Sequence, residues 1–354
     1  MKLAISVPVG AWHDFLPWAL ESLACQKADL RIAFLDASGD PRVKALADQY
    51  DDRLAYRRHG PDGGQSDAIL EGWANVEGDW LGWLNADDML MPGALEKVQA
   101  HLGANPGLEA VYGHSVILDG DGAMTGYHFN VEPPGERLLQ AGIISQPSCF
   151  FSRAAYERAG GLNRDLHYVM DWDLWIRMYK SGTRFGFLDD ALSMVIWADD
   201  TKTASINKRR RFELNAVIAE HAPEAAQKAT FRAFMVHAAA DKLWPPSLRR
   251  ALVRRLRRSG PSIFGLRADG AFSPEADLKL AHYGREAKSG LRLSFLRPAP
   301  SLKASTVGRE VSVSSEGATV ELRFDRPLGP AELCDINLRH DAGEAPVFLK
   351  AEWL

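Results

Sequence analysis

Short apolar runs of strand length alternate with helix-like patterns along the first 120 residues. The run Leu3–Pro8 precedes Asp14–Gln26, in which apolar side chains recur at helical spacing. The pattern then predicts, in order, strand Leu30–Leu35, helix Pro41–Tyr50, strand Leu54–Arg58, helix Gln65–Val76, strand Trp80–Leu84, helix Pro92–Leu102, and strands Glu109–Tyr112 and Val116–Leu118. Such alternation is typical of a mainly parallel sheet covered by helices on both faces, so we predict an α/β fold.

The pattern changes after about residue 205. A basic helical stretch begins at Lys208, and residues 222–243 are rich in alanine. From about residue 291 the apolar and polar residues alternate with the period of strands, and glycine and proline separate these runs. We therefore predict three regions: an α/β domain over residues 1–205, a helical region over 206–290, and a small β-rich module over 291–354.

Composition places the chain among ordinary soluble globular proteins. Of its 354 residues 46% are hydrophobic and 25% are charged, and the formal net charge is −4, so we do not expect nucleic acid as a partner. The three cysteines are widely spaced, which argues against a disulfide scaffold and favours a reducing compartment. No apolar stretch approaches about 18–20 residues, and the N-terminus lacks the pattern of a signal peptide. We expect a cytoplasmic location, or one on the inner face of the cytoplasmic membrane.

Carboxylates follow two of the predicted strands. Asp36 comes directly after one strand, and Asn85-Ala86-Asp87-Asp88 follows another. In parallel sheets ligands bind outside the carboxyl ends of the strands. Alone, Asp36 would be interpreted as a turn or cap residue, but two acidic clusters at one sheet edge favour a binding site. Adjacent carboxylates repel each other unless a cation neutralises them, and Mg²⁺ or Mn²⁺ would also bind phosphate oxygens.

Known nucleotide-binding motifs narrow the class of ligand. The chain has no Walker A sequence, and no Gly-x-Gly-x-x-Gly follows the first strand. These observations argue against a P-loop enzyme and against a dinucleotide-binding domain. The acidic edge of the sheet is therefore interpreted as a site for a nucleotide diphosphate held with a divalent cation.

Four blocks of sequence then occur in a recognisable order. They are Ile5–Pro8, Asp36–Asp40, Gly64–Ile69 with Gly78–Asp88 and Pro92–Leu95, and Gln146–Phe151 with Leu166–Trp175. Together, over about residues 1–205, they resemble the family 2 glycosyltransferases, inverting enzymes with the GT-A fold. The resemblance implies a nucleotide-sugar donor, with a UDP-sugar favoured, and a glycan or lipid-linked acceptor. It also implies a setting in bacterial surface polysaccharide or lipopolysaccharide biosynthesis.

The resemblance further implies roles for individual residues on the donor side. The residues expected to contact the nucleotide sugar are Pro8, Asp36, Gln65, Asp67, Asn85, Ala86, Asp87 and Lys202. Asp87 and Asp88 are expected to hold Mn²⁺ or Mg²⁺. Asn85 stands where many members have an aspartate, and Ala198 stands where related enzymes have a histidine that can bind the metal, which leaves the metal requirement open. Lys202 is either a phosphate contact or a solvated loop lysine.

Asp171 is expected to be the general base of the acceptor side. Inversion by direct displacement needs one base to deprotonate the attacking hydroxyl, and Asp171 occupies the family's base position. A packed amphipathic helix is the alternative interpretation of this segment, but it does not explain two carboxylates among so many apolar residues. Asp173 is expected to pair with Arg177 at i+4, and it is also an acceptor candidate together with His167 and Trp172.

Two other classes of protein were weighed against the transferase. A sugar-nucleotide pyrophosphorylase needs a glycine-rich basic loop after the first strand, where this chain has Val9-Gly10-Ala11-Trp12. A non-catalytic protein that binds glycan or nucleotide on a degenerate transferase scaffold is the second alternative. The departures at Asn85 and Ala198 keep this second alternative open.

An arginine-rich segment predicts contact with anionic lipid. Residues 249–258 contain six arginines, and the leucines at 248, 252 and 256 form one narrow apolar stripe of a helix. A solvated helix of a bundle and a nucleic-acid contact are the alternatives. Each arginine near anionic headgroups contributes about 1 kcal/mol, an attraction that salt screens over roughly 8–10 Å. We expect the protein to pellet with anionic liposomes at low salt, and to be released at high salt.

The control for this experiment is a triple variant, Arg250→Glu, Arg254→Glu and Arg257→Glu. We expect it to lose pelleting and to keep transfer to a soluble acceptor, because the residues implied in catalysis precede residue 206. Equal binding of the wild-type protein to neutral and anionic liposomes would contradict the electrostatic interpretation.

Overall fold

The structure is a computed structural model that describes residues 1–128, 130, 132, 134–198, 207–243, 248, 262–298, 301–343 and 345–354. Lys202 and the arginine-rich segment 249–258 lie outside the described residues. No helix in the described part of the chain is both long enough and apolar enough to cross a lipid bilayer.

The described residues contain the following helices and strands. The helices are α1 (Leu16–Ala24), α2 (Pro41–Asp48), α3 (Gln65–Asn75), α4 (Ala94–Ala104), α5 (Arg153–Arg158), α6 (Met170–Lys180), α7 (Lys208–His221) and α8 (Glu224–Leu243). The first nine strands are β1 (Lys2–Val9), β2 (Asp29–Asp36), β3 (Leu54–His59), β4 (Trp80–Trp83), β5 (Met89–Leu90), β6 (Ala110–Leu118), β7 (Met124–Tyr127), β8 (Cys149–Ser152) and β9 (Phe185–Ile196). The remaining strands are β10 (Ser262–Ile263), β11 (Leu266–Arg267), β12 (Glu275–Ala281), β13 (Lys288–Phe295), β14 (Leu302–Thr306), β15 (Val311–Glu316), β16 (Thr319–Leu328), β17 (Leu333–His340) and β18 (Phe348–Trp353).

The chain divides into two compact units, and the first consists of Met1–Ser115, Asn130–Val195 and Ser205–Val236. Its sheet has the strand order β8-β4-β1-β2-β3, in which β1 to β4 are parallel and β8 is antiparallel to β4. The predicted α/β architecture with a mainly parallel sheet is confirmed. The register aligns Val9 with Asp36, and Asp36 with His59, so the ends of β1, β2 and β3 lie side by side.

Local sequence explains where these elements begin. Residues 3–9 of β1 are all buried, as expected for a central strand covered on both faces. The Asp40 side chain caps α2 by accepting a hydrogen bond from Arg42 N at 2.9 Å, and Pro41 occupies the first turn, as predicted. Helix α1 is shorter than predicted, because it begins with Pro17 in its first turn and has no capping side chain.

Two strands that the sequence predicts as separate form one continuous strand, β6. The sequence predicts separate strands at 109–112 and 116–118, whereas β6 continues from Ala110 to Leu118. The intervening residues, Gly113, His114 and Ser115, are buried, and Gly113 has no room for a Cβ against Leu192. A polar-looking gap in the pattern is therefore part of a buried strand.

The second unit is rich in antiparallel strands and consists of Val116–Phe129, Ile196–Ala204 and His237–Leu354. One set of strands has the order β15-β16-β13-β18-β7, and a second sheet has the order β12-β17-β14. Alternate side chains of β12 and β17, including Leu278, Leu280, Ile336 and Leu338, are buried. The prediction of a β-rich C-terminal region is confirmed.

The predicted helical region over 206–290 needs correction at both ends. Helix α7 belongs to the first unit rather than to a separate region, because Leu214, Val217 and Ile218 pack into that unit's core. At the other end strands begin at Ser262, earlier than the predicted start at residue 291. Strand β12 alternates buried and exposed positions and pairs with β17, a partner that is distant in sequence.

Candidate active site

Asp36 ends strand β2 inside a hydrogen-bonded turn. Its Oδ1 accepts from the Ser38 backbone N–H at 2.8 Å and from the Ser38 hydroxyl. Its Oδ2 accepts from His59 Nδ1 at 2.7 Å, and Arg57 Nη2 donates to His59 Nε2 at 2.8 Å, which together fix the neutral tautomer of the ring. Sequence reasoning found Asp36 and missed His59, although His59 also stands at the end of a parallel strand, where the same rule applies.

A hydrogen-bond network surrounds Asn85 at the end of β4. Gln65 Nε2 donates to Asn85 Oδ1 at 2.6 Å. Asn85 Nδ2 lies 2.9 Å from Asp88 Oδ2 and 3.2 Å from Gln146 Oε1, and Gln146 Nε2 donates to Trp83 O at 2.8 Å. The structure thus brings Gln65, Asn85 and Asp88 together as one group. Gln146 opens one of the sequence blocks that resemble the family, but the sequence alone does not indicate that it belongs to this network.

The carboxylate pair after β4 offers oxygen ligands of the kind that Mg²⁺ and Mn²⁺ prefer. Asp87 is half-buried and Asp88 is only 6% exposed. Among the described residues no three His, Cys, Asp or Glu side chains form a metal-binding group. Protein sites for Mg²⁺ commonly supply one or two carboxylates and leave the other positions to water and phosphate oxygens. The donor set therefore fits a cation shared with a diphosphate, and does not fit an all-protein cage.

The N-terminus of α3 contacts the segment that leads into α6. Ser66 Oγ lies 3.2 Å from Leu166 O and 3.0 Å from Met170 Sδ. Asp67 forms an ion pair with Arg164, with 3.3 Å between Oδ1 and Nη1. Because Gln65 in the same turn of α3 bonds Asn85, these contacts connect the end of β4 with the start of α6. Sequence reasoning assigned Asp67 to the nucleotide and did not foresee Arg164.

Asp171 lies in the first turn of α6 and is half-buried. Desolvation raises the pKa of Asp171, against the opposing effects of the hydrogen bond from Trp172 N at 2.8 Å and of the positive charge of Arg210. Burial raises the pKa of the Cys149 thiol, and the charge of Asp171 adds to that rise. A carboxylate whose pKa is raised by burial is a stronger proton acceptor than an exposed one. The predicted base therefore has an environment suited to proton abstraction.

Asp173 has a different environment, although it is only two residues away. It is 3% exposed, and its Oδ2 lies 2.7 Å from Arg177 Nη2 and its Oδ1 3.1 Å from His221 Nε2. Burial acts to raise its pKa, but the hydrogen bonds from His221 and Arg177 prevail and lower the pKa of Asp173. The predicted pairing with Arg177 is present. Contact of Asp173 with an acceptor stays a prediction, and one that its burial opposes.

The other predicted site residues are placed as follows. Trp172 is 4% exposed, its indole N–H donates to Leu138 O at 2.7 Å, and its ring packs on Phe234, so its burial opposes the predicted acceptor contact. His167 is half-buried, with its ring against Tyr168. Pro8 is buried in β1, and Ala86 is half-buried in the turn after β4.

Comparison with solved structures identifies the class of fold. Residues 1–349 of S. aureus TarS, solved in complex with UDP-GlcNAc, superpose with a TM-score of 0.52 at 15% identity, covering 73% of this chain and 76% of that one. The first unit therefore has the GT-A-like mixed α/β fold that the sequence predicted.

Comparison with protein families then identifies the domain. The model of Glycosyl transferase family 2 matches residues 11–160. A PGL/p-HBAD biosynthesis glycosyltransferase of Mycobacterium tuberculosis is 28% identical over 183 residues, which are 50% of this chain and 70% of that protein. The hyaluronan synthase of Pasteurella multocida is 22% identical over 216 residues, 59% of this chain and 22% of the synthase. Residues 11–160 are thus similar to family 2 glycosyltransferases, and the resemblance seen in the sequence is confirmed over this stretch.

A stability measurement can separate the two roles considered for Asp173. Removing one partner of a buried ion pair leaves the other charge unpaired, which typically costs about 3–5 kcal/mol. We therefore expect Asp173→Ala to lower the free energy of unfolding by that amount in a denaturant titration. Glu220→Ala, which removes a side chain that is 70% exposed, is the control and should leave stability nearly unchanged. A fully stable Asp173→Ala protein with a raised KM for its acceptor would indicate acceptor binding instead.

Proposed function

We propose that this chain is an inverting glycosyltransferase that uses a nucleotide-diphosphate-sugar donor, with a UDP-sugar favoured. The acceptor is a hydroxyl of a glycan or lipid-linked molecule in the assembly of a bacterial surface polysaccharide or lipopolysaccharide. The observation that carries the proposal is the chain of contacts from Asp88 through Asn85 and Gln65 to the N-terminus of α6. It connects an acidic strand end, suited to a diphosphate and cation, with a desolvated carboxylate suited to act as a base.

The comparisons support a UDP-sugar in particular. TarS was solved with UDP-GlcNAc, and its fold is similar to that of this chain. The relatives named as a hyaluronan synthase and as a PGL/p-HBAD biosynthesis glycosyltransferase support a role in glycan biosynthesis. In the proposed binding mode the nucleotide lies along the ends of β1, β2 and β4, where Asp36 offers a hydrogen-bond acceptor to the base.

In the proposed reaction Asp171 takes the proton from the acceptor hydroxyl as its oxygen attacks the anomeric carbon. The bond from that carbon to the diphosphate oxygen breaks on the opposite face, which inverts the configuration. Desolvation supports this role, because it raises the pKa of Asp171 and makes the carboxylate a better proton acceptor. Asp173 remains ionised, paired with Arg177 and hydrogen-bonded to His221, and connects α6 to α7.

Asp87 and Asp88 would hold a divalent cation against the diphosphate. When bound, Mn²⁺ or Mg²⁺ offsets the charge that develops on the departing diphosphate. Asn85 contributes no charge to this site, and its amide instead orients Asp88 and Gln65. A non-catalytic binding protein is the alternative, favoured by the departures at Asn85 and Ala198, and it would bind nucleotide sugar without turnover.

Asp171→Asn tests the proposed base. The variant keeps the size of the side chain and removes the basic oxygen, so transfer should fall by roughly 10²–10⁴-fold while the Kd for UDP stays unchanged. Because the pKa of Asp171 is raised, wild-type activity should fall as pH decreases through a value above the ordinary aspartate pKa of about 3.9. The residual activity of the variant should lack this acidic limb. If Asp171→Asn transfers at the wild-type rate, another residue must be the base, and Asp173 is the next candidate.

A thermal-shift experiment tests the donor site and its cation. UDP and UDP-GlcNAc should raise the Tm of the wild-type protein, and they should raise it further with Mn²⁺, because a ligand that binds the folded state stabilises it. Asp87→Ala should lose the additional shift from Mn²⁺, and a chelator should produce the same loss in the wild type. Asp52→Ala, in an exposed turn, is the matched control and should behave as wild type. An undiminished shift and full transfer in the presence of chelator would show that the enzyme works without metal.

A further inference from the structure

Helix α7 begins 48 residues beyond the stretch that matches the family model, yet it contacts the segment that carries the proposed base. Glu213 on α7 is only 3% exposed. Its Oε2 accepts hydrogen bonds from the backbone N–H groups of His167 at 3.0 Å and Tyr168 at 2.7 Å. Its Oε1 accepts from Arg209 Nε at 2.9 Å. This buried carboxylate is therefore bound chiefly to the turn that leads into α6.

Other residues of the same region strengthen the contact. Asn207, at the start of α7, donates to the hydroxyl of Tyr168. At the other end of α7, Nδ1 of His221 accepts a hydrogen bond from Lys180, the last residue of α6. The ring proton of His221 therefore lies on Nε2, which donates to Asp173 Oδ1 at 3.1 Å. The bonds of Asn207, Glu213 and His221 therefore bracket Asp171, with partners before it in sequence at His167 and Tyr168 and partners after it at Asp173 and Lys180.

The N-terminus of α6 has no side-chain cap at its N-cap position. Its N-cap is Val169, which has no side chain able to accept a hydrogen bond from the first turn. The N–H groups just before it are instead satisfied by the carboxylate of Glu213, and hydrogen bonds to a charged group are stronger than neutral ones. Without that carboxylate the two part-buried N–H groups of His167 and Tyr168 lose their partner, and the turn has to rearrange to regain one.

We propose that Glu213 is a positioning residue, which holds the His167–Tyr168 turn and thereby places Asp171 for its reaction with the acceptor. Glu213 itself touches neither donor nor acceptor in this role. A displacement of about 1 Å in a reacting group can cost about 10²-fold in rate, so a change in this turn should be visible in turnover. The proposal rests on the proposed function in one respect, the assignment of Asp171 as the base.

Two substitutions of Glu213 and one of Arg209 form the test. Glu213→Ala removes both acceptor oxygens, Glu213→Gln keeps one carbonyl oxygen for the turn, and Arg209→Ala removes only the exposed partner of Oε1. Release of UDP from UDP-GlcNAc gives kcat and KM, and titration with UDP gives Kd. Hydrogen exchange of the wild-type and variant proteins reports on the amides of residues 166–172.

We expect Glu213→Ala to lower kcat by about 10²-fold and to leave the Kd for UDP unchanged, because the donor residues lie on other elements. Its amides at His167 and Tyr168 should exchange faster than those of the wild type, while amides of β1 and β2 keep their protection. Glu213→Gln should recover most of the rate, and Arg209→Ala should be close to wild type. Recovery of the rate in Glu213→Gln would support positioning through the two N–H bonds, because glutamine keeps an oxygen that can accept from them.

Other outcomes overturn the proposal. Wild-type kcat and unchanged exchange in Glu213→Ala would show that the turn holds itself in place. If Glu213→Ala does not fold, a Glu213→Gln protein that is folded but has no activity would contradict positioning through the two N–H bonds. Failure of the proposed function would be recognised in the wild-type protein, which would then bind no UDP or release no UDP from UDP-GlcNAc. In that case the hydrogen-exchange comparison would still test whether Glu213 holds the turn.

Discussion

Buried polar groups need hydrogen-bond partners, and this constraint governs how the proposed donor and acceptor halves of the site are connected. The amide of Asn85 is enclosed by Gln65, Asp88 and Gln146, so its two ends determine where three other side chains point. Gln65 opens α3, and the next residue, Ser66, reaches Met170 at the start of α6. A network that satisfies buried polar atoms therefore also sets the geometry of the proposed reaction.

Asp171 and Asp173 are the same residue type, but their environments suit them to different proposed roles, proton transfer for Asp171 and structural support for Asp173. They occupy the same turn of α6, but desolvation raises the pKa of Asp171, whereas hydrogen bonds from His221 and Arg177 lower the pKa of Asp173. Neighbouring groups with opposed pKa shifts are typical of sites in which one carboxylate accepts a proton and the other stays charged. Helix α7 contributes to this division, because its His221 is one of the two partners of Asp173.

The described structure also extends the acceptor half beyond the region that matches the family model. Residues 11–160 contain strands β2 to β8 and the carboxylates proposed for the donor side. Helix α6, which carries the proposed base, and helix α7 follow that region, and α7 packs into the same core through Leu214, Val217 and Ile218. Divergence of sequence in this part does not separate it from the domain, since its contacts with α6 are made inside one compact unit.

Sequence alone determined the α/β pattern, the cap at Asp40 and the carboxylates at the strand ends, because these depend on local periodicity and on residues close together in the chain. It also predicted the Asp173–Arg177 pair, which one turn of helix brings together. Tertiary structure decided the partners that are distant in sequence, such as His59 for Asp36 and Glu213 for the turn at 167–168. It also decided what covers Trp172, because Phe234, which packs on its ring, lies on α8 and is distant in sequence.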